Sequence, residues 1–270
     1  MRILASRIKK RRRLLTFLLE FYPLLLAPIF GSFIGAVVDR WPRGETLDGR
    51  SICRSCGTTL GVIDLVPILT FVILRGKCRH CSAAIPRETI GTELLAILTM
   101  MPLIFVIDPG DKAIGMLLGL ALLTLALIDR RHYWLPDDIT LPLIVLGILF
   151  ALMKGETPAL ASAVGAVAGY SLIAGLRAVY KHVKGIEAIG LGDAKLLAAI
   201  GAWLGWMALP FVILVASVLG LIGGLAGTKD VGRYTKVPFG LYLSIVFYGA
   251  WLGSKTPMAS HWLATYMPVL

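Results

Sequence analysis

The chain has 270 residues, 57% hydrophobic and only 16% charged, with a mean hydropathy of +0.81, which excludes an ordinary soluble domain. Its formal charge of +11 does not point to nucleic acid. The lysines and arginines sit in short segments between apolar runs, where positive charge sets orientation against a bilayer, so an all-α polytopic membrane protein is expected.

A basic arm, residues 1–17, comes first, with Arg2, Arg7, Lys9, Lys10, Arg11, Arg12 and Arg13. It resembles the n-region of a signal sequence, but Glu20, Pro23 and Pro28 interrupt the apolar run and no small-residue cleavage site follows, so an uncleaved surface arm is predicted. About twenty apolar residues cross a hydrocarbon core of about 30 Å. On that measure about eight spans are predicted, at 18–38, 90–107, 113–129, 134–152, 158–178, 191–206, 208–226 and 238–254. The junction between the sixth and seventh, from Trp206 to Pro210, carries almost nothing polar, and one kinked helix there would make seven. A tail, 255–270, closes the chain, and 90–254 is the predicted transmembrane catalytic domain.

Eight crossings put Arg130, Arg131, Arg177, Lys181, Lys184, Lys195, Lys229, Arg233, Lys236 and the basic residues from Arg40 to Arg87 on one side. The opposite loops offer Lys112, Lys154 and Lys255, so the first side is predicted to be cytoplasmic. The basic arm falls on the other face in this scheme, and its side stays open.

The loop 39–89 holds every cysteine, as Cys53-Arg54-Ser55-Cys56 and Cys78-Arg79-His80-Cys81. Two such knuckles can present four thiolates tetrahedrally to Zn²⁺, and four thiolates leave no open position for water, so the predicted zinc is structural. Gly57 and Gly76 supply turn conformations beside them, while Arg54, Lys77 and Arg79 offset the thiolate charge. Two disulfides are the rival reading, disfavoured on a reducing face; His80 is a spare ligand.

Acids in or beside apolar spans are costly and become functional candidates by default. Here they are Glu20, Glu93, Asp129, Asp137, Asp138 and Asp193. Glu20 and Glu93 lie near helix ends and suit interfacial positions or a basic partner. Asp137 and Asp138 follow Pro136, where either can cap the next helix. Asp129 projects from the end of the third span, and Asp193 opens the sixth behind Gly190-Leu191-Gly192. Two crossings separate them, so both lie at the membrane face that carries the cysteine loop. Two carboxyls at a partly desolvated site share one proton, so that one can activate water while the other polarises a carbonyl. The glycines would let backbone approach and leave room for an extended substrate; a plain helix cap with Lys195 as partner accounts for the same string. His132 stands one turn beyond Asp129.

The ordered set "GSFIGAVVDRWP", the paired C-x-x-C knuckles, "TELLAIL", "LIDRRHYWLPDDITLP", "GLGDAKLLAAIGAWLGW" and "VPFGLYL" resembles the bacterial type IV prepilin peptidases, a GxGD-type branch of intramembrane aspartic proteases, from about residue 28 to 245. The resemblance implies that Asp129 and Asp193 are the catalytic pair, with Gly190, Gly192, Lys195, Pro238 and Gly240 framing the site. It implies removal of short basic leaders from prepilins or pseudopilins at the cytoplasmic face of the inner membrane. It also implies N-methylation of the new terminus with S-adenosylmethionine, for which no glycine-rich fingerprint is visible and no residue is assigned. The chain departs from the family pattern at Gly35, often Asn; at Arg131, often acidic; and at "DLVP" (Asp64 to Pro67), often an Asn-x-Pro step. None of these touches the aspartate pair or the cysteines, so they bear on substrate preference and methylation. Two other classes fit part of the pattern. An ion-coupled transporter uses paired intramembrane carboxylates but gives the cysteines no role, and a redox or metal sensor leaves the aspartates idle.

Overall fold

The computed structural model describes residues 2–155, 157–185, 190–227 and 237–256. Among them the only regular structure is helical: α1 (Arg2–Arg40), α2 (Leu69–Ile73), α3 (Arg87–Met100), α4 (Pro102–Val106), α5 (Lys112–His132), α6 (Asp137–Lys154), α7 (Ala159–Lys184), α8 (Leu191–Leu204), α9 (Ala208–Gly227) and α10 (Phe239–Ser254). Five stretches are long and apolar enough to cross a membrane, at Phe17–Arg43, Arg87–Val106, Lys112–His132, Ala159–Lys184 and Ala208–Leu225, with Phe239–Ser254 a shorter apolar helix. The chain is therefore a multi-pass membrane protein. Three of the eight expected spans fall short of that measure, α10 by its 16 residues and two others for physical reasons of their own. The 18-residue α6 begins with Asp137 and Asp138 and ends with Lys154, and α8 has only 14 residues, about 21 Å of rise.

The basic arm is not a separate element, because α1 runs unbroken from Arg2 through Pro23 and Pro28 to Arg40. The uncertain junction is resolved as two helices. Gly205 takes φ 79°, a left-handed value that ends α8, and α9 restarts at Ala208. Lys229, Arg233 and Lys236, which helped to set the predicted orientation, lie outside the described residues, as does most of the tail, 257–270.

The chain divides into two compact units, Met1–Leu120 and Ala121–Leu270. In the first, α1 packs on α3. A Cβ at Gly31 would stand 2.6 Å from Glu93 Cα, and one at Gly35 would stand 2.8 Å from Thr92 Oγ1, so the small residues at i and i+4 bring the two backbones together. Glu20 pairs with the fully buried Lys112, whose Nζ lies 3.1 Å from Glu20 Oε1, the basic partner expected for it. Glu93 has no basic partner among the described residues; it accepts the Ile68 backbone N–H at 2.7 Å.

In the second unit α8 is the centre. Nine of its residues are buried, and it contacts α6, α7, α9 and α10. Gly165 and Gly169 of α7 meet α8 backbone to backbone, since a Cβ there would lie 2.3 Å from Gly201 O and 2.4 Å from Leu197 O. The carbonyls at the end of α8 are satisfied from outside the helix. Ser162 Oγ donates to Ala202 O at 2.6 Å, and Thr157 Oγ1 donates to Trp203 O at 3.1 Å. Trp203 binds α8 to α6 through Nε1–H to Leu143 O at 2.8 Å, stacked on Phe150 with centroids 5.4 Å apart.

Candidate active site and metal centre

The four cysteines converge. All four sulfurs lie within 4.8 Å of one another, none is in a disulfide, and Cys53 Sγ stands 3.8 Å from Cys81 Sγ. Tetrahedral Zn–S bonds of about 2.3 Å space sulfurs about 3.8 Å apart, so the cluster fits a four-thiolate zinc. The knuckles are built alike. Antiparallel bridges join Ile52 to Thr59 and Lys77 to Ala84, one residue before the first cysteine and three after the second of each pair. The residue after the second cysteine is left-handed in both, Gly57 at φ 70° and Ser82 at φ 57°. Backbone N–H groups turn onto the sulfurs and hold three thiols below the ordinary value: those of Cys56 and Ser55 at Cys53, of Cys81 and His80 at Cys78, and the Thr58 hydroxyl and N–H at Cys56. Cys81 also receives the Ala83 N–H, yet lost solvation and its three sulfur neighbours push it up to about 12. A cation among the four sulfurs would favour the thiolate form of all four. The expected charge offset is not supplied by the arginines as predicted. Arg54 pairs with Asp39, and Arg79 with Asp64 at 3.1 Å. His80 is exposed and outside the sulfur cluster.

The two aspartates lie within electrostatic range of each other in the second unit. Asp129 lies in the last turn of α5, 5% exposed, and Asp193 is the third residue of α8, partly buried and an electrostatic neighbour of Asp129. A third helix end completes the arrangement. α10 begins after Pro238, which has no side-chain donor or acceptor to cap it, and its free Leu241 N–H donates to Asp129 Oδ2 at 2.9 Å, with a further bond from the Gly240 N–H. Asp129 thus caps α10 from another helix, an assignment that serves the fold as well as chemistry.

Glycines set these distances. A Cβ on Gly240 would lie 3.1 Å from the Asp129 carboxyl carbon and 2.8 Å from Leu135 Cδ1, and one on Gly192 would lie 2.9 Å from Leu135 Cβ. Leu135, 6% exposed, is the wedge that α8 and α10 both close upon. The space beside Gly192 is therefore filled by Leu135 and not left for a substrate, which corrects that expectation. Gly190 is different, for among the described residues a Cβ there would meet nothing nearer than Asp193 Oδ2 at 3.7 Å.

Asp137 and Asp138 do not cap α6 through their side chains; Pro136 is the cap residue, and no side-chain cap bond forms. Asp137 instead receives Lys195 Nζ at 2.6 Å on both oxygens, so Lys195 ties the start of α8 to the start of α6 and is not the partner of Asp193. His132 closes α5 and is exposed. Sequence reasoning missed Leu135, the Leu241 N–H and the Asp137–Lys195 pair. It also passed over the Gly-x-x-x-Gly spacings at Gly31/Gly35 and Gly165/Gly169, which signal close helix packing.

Residues 116–225 match the type IV leader peptidase family, and residues 25–107 match the bacterial peptidase A24 N-terminal domain. The chain is similar to a prepilin leader peptidase/N-methyltransferase of Aeromonas salmonicida (strain A449), 39% identical over 199 residues that cover 73% of this chain and 68% of the relative. Proteins of the same name from Burkholderia pseudomallei (strain K96243) and Dickeya chrysanthemi are 34% and 37% identical, covering 83% and 82% of this chain and 82% and 88% of theirs. No solved structure matches the chain.

Proposed function

Because this chain belongs to the type IV leader peptidase family, we propose that it removes the basic leader from prepilins or pseudopilins, with Asp129 and Asp193 as the catalytic pair. The observation that carries the proposal is the placing of two acids at helix ends within electrostatic range of each other, one buried and one partly open, with no cation among their hydrogen-bond partners in the described residues. Two such acids, brought within hydrogen-bond reach, hold one proton in common. In the proposed reaction the ionised carboxyl takes a proton from water as its oxygen attacks the scissile carbonyl. The protonated carboxyl donates to the carbonyl oxygen. The tetrahedral intermediate then collapses, the amine leaves with a proton from the pair, and no bond to the protein forms.

The Leu241 and Gly240 N–H groups fix one carboxyl, and the Leu135 wedge keeps water from its apolar side. Among the described residues the side beside Gly190 and Asp193 is the less filled one, and in this proposal an extended peptide with a small residue at the cleavage point approaches there.

The remaining readings belong to the same proposal. We place eight crossings in the inner membrane, with the cysteine loop and both aspartates on the cytoplasmic face. The domains are the arm 1–17 and span 18–38, which α1 joins, the zinc domain 39–89, the catalytic domain 90–254 and the tail 255–270. Zinc, held by Cys53, Cys56, Cys78 and Cys81, would fix the loop without entering the chemistry. The names of the relatives support N-methylation with S-adenosylmethionine as a second activity. The described residues hold no glycine-rich nucleotide loop, so no residue is assigned to that cofactor. Nucleic acid has no place in the reading.

The test is the mass shift of a purified prepilin mixed with the protein in detergent. Asp129→Asn and Asp193→Asn should each lower the rate at least about 10³-fold, as loss of an acid/base group does. Asn at 129 keeps an oxygen to cap α10, so the fold should survive, which thermal melting checks. Normal cleavage by either folded variant would overturn the assignment.

A further inference from the structure

The segment between the two knuckles is unlike the rest of the cysteine loop. It reads Val62-Ile-Asp-Leu-Val-Pro-Ile-Leu-Thr-Phe-Val-Ile-Leu74, and it is organised. A 3₁₀ turn at Val62–Leu65 leads into α2, Thr70 Oγ1 donates to Ile63 O at 2.7 Å, and Gly76 N donates to Phe71 O at 2.8 Å. Its large apolar side chains nevertheless face outward: Ile63, Leu65, Val66, Leu69, Val72 and Ile73 are all exposed, Ile73 by 71%. A contiguous patch of this size on a loop marks an interaction surface.

Its depth says what covers it. The Ile68 N–H is bound by Glu93, six residues into α3, which at 1.5 Å per residue lies about 9 Å below Arg87. Glu93 also accepts from the Ser32 hydroxyl of α1, eight residues or about 12 Å short of Arg40. Both α1 and α3 belong to stretches long and apolar enough to span. The segment therefore does not stop at the helix ends but dips alongside them, to the depth of about 5–10 Å at which interfacial elements bury their apolar faces. On α3 itself Leu94 and Leu98 are exposed too, as expected of a helix that faces acyl chains. Backbone that is not helical survives at such depth only where its polar groups find protein partners. Ile68, held at φ 60°, is that point, and Glu93 is the acceptor it needs. On the water side stand Arg75, Lys77 and Arg87, all exposed, where anionic headgroups lie.

We propose that residues 62–74 form a re-entrant element that inserts its apolar side chains among the acyl chains of the bilayer, so that the zinc knuckles are seated on the membrane and not suspended in water. Glu93 is the positioning residue that holds it at that depth.

The test uses the full chain in lipid nanodiscs. In one arm, p-benzoylphenylalanine is placed at Leu69, Val72 or Ile73, with Leu98 as the lipid-facing reference and His80 as the knuckle reference, and lipid adducts are weighed after illumination. Adducts at 69, 72 and 73 should match the yield at 98 and exceed that at 80 several-fold. In the other arm the unmodified protein is illuminated with phospholipid carrying a diazirine in its acyl chain, and labelled peptides are mapped; label on 62–74 is expected at a level comparable to α3. Zinc content identifies the variants whose knuckles are intact. If the segment stays at the level of His80 while α3 reacts, or if it crosslinks to protein in place of lipid, the proposal is overturned.

Discussion

The cysteine cluster and the aspartate site are assembled by opposite means. Each knuckle places two sulfurs by a turn closed within six residues, as in the bonds from Cys53 N to Thr58 O at 2.9 Å and from Cys78 N to Ala83 O at 2.8 Å. Only the meeting of the two knuckles is long-range, and a metal bound by all four thiolates would supply the attraction for it. The aspartates have no such tether. Their separation is set by three helix ends, and glycines let α8 and α10 close on Leu135 and α10 close on Asp129 of α5. The first site should fail when its ion is withdrawn, and the second when a methyl group is added.

That contrast can be broken in graded steps. The largest effect belongs to the metal: Cys53→Ser, or a strong chelator, should reduce zinc by elemental analysis from one per chain to near none. The loop should then be cleaved by added protease between 50 and 85, since structural zinc carries much of the folding energy of such knuckles. Helices α7 and α8, which pack through their own glycines, should stay protected. Protection of the loop after zinc loss would show that packing, not metal, holds it.

Next comes Gly240→Ala. The added carbon meets the Asp129 carboxyl at 3.1 Å and Leu135 at 2.8 Å, and a shift of a fraction of an ångström at a reacting group costs roughly 10–100-fold in kcat. Gly190→Ala, with open space beside it among the described residues, should cost less than about 3-fold, and equal losses in the two variants would refute the packing account. The smallest effect is expected from Lys195→Ala. Its partner Asp137 is 55% exposed, and exposed ion pairs contribute about 0.2–1 kcal/mol, so leader removal should fall by less than about 5-fold. A loss as deep as that of the Asp193→Asn variant would move Lys195 from scaffold to chemistry.

How far these features could be read in advance follows from the range of the forces behind them. The cysteine spacing is a local code, so the four ligands were legible, whereas the engagement of Arg54 and Arg79 with Asp39 and Asp64 was not, because the competing acids are set by loop geometry. The pairing of Glu20 with a cation was legible from the cost of a lone acid in an apolar run; its identity as Lys112 was not. Asp137 looked like a cap because it follows Pro136, but a cation from another helix outcompeted the backbone for it. Asp129 looked like a lone acid at a helix end, and nothing local announces that its carboxyl caps α10.

Composition by itself determined that this chain lives in a membrane, because apolar runs of that length have no other low-energy solvent. The cysteine spacing determined a metal-ready loop, because a knuckle is closed by its own few residues. Only the tertiary structure decided which backbone N–H meets Asp129, which leucine separates the helix ends, and where Glu93 spends its charge. Those are contacts between residues far apart in the chain, chosen by how closely helices can approach, and glycine positions acquire that meaning only when the facing surface is known.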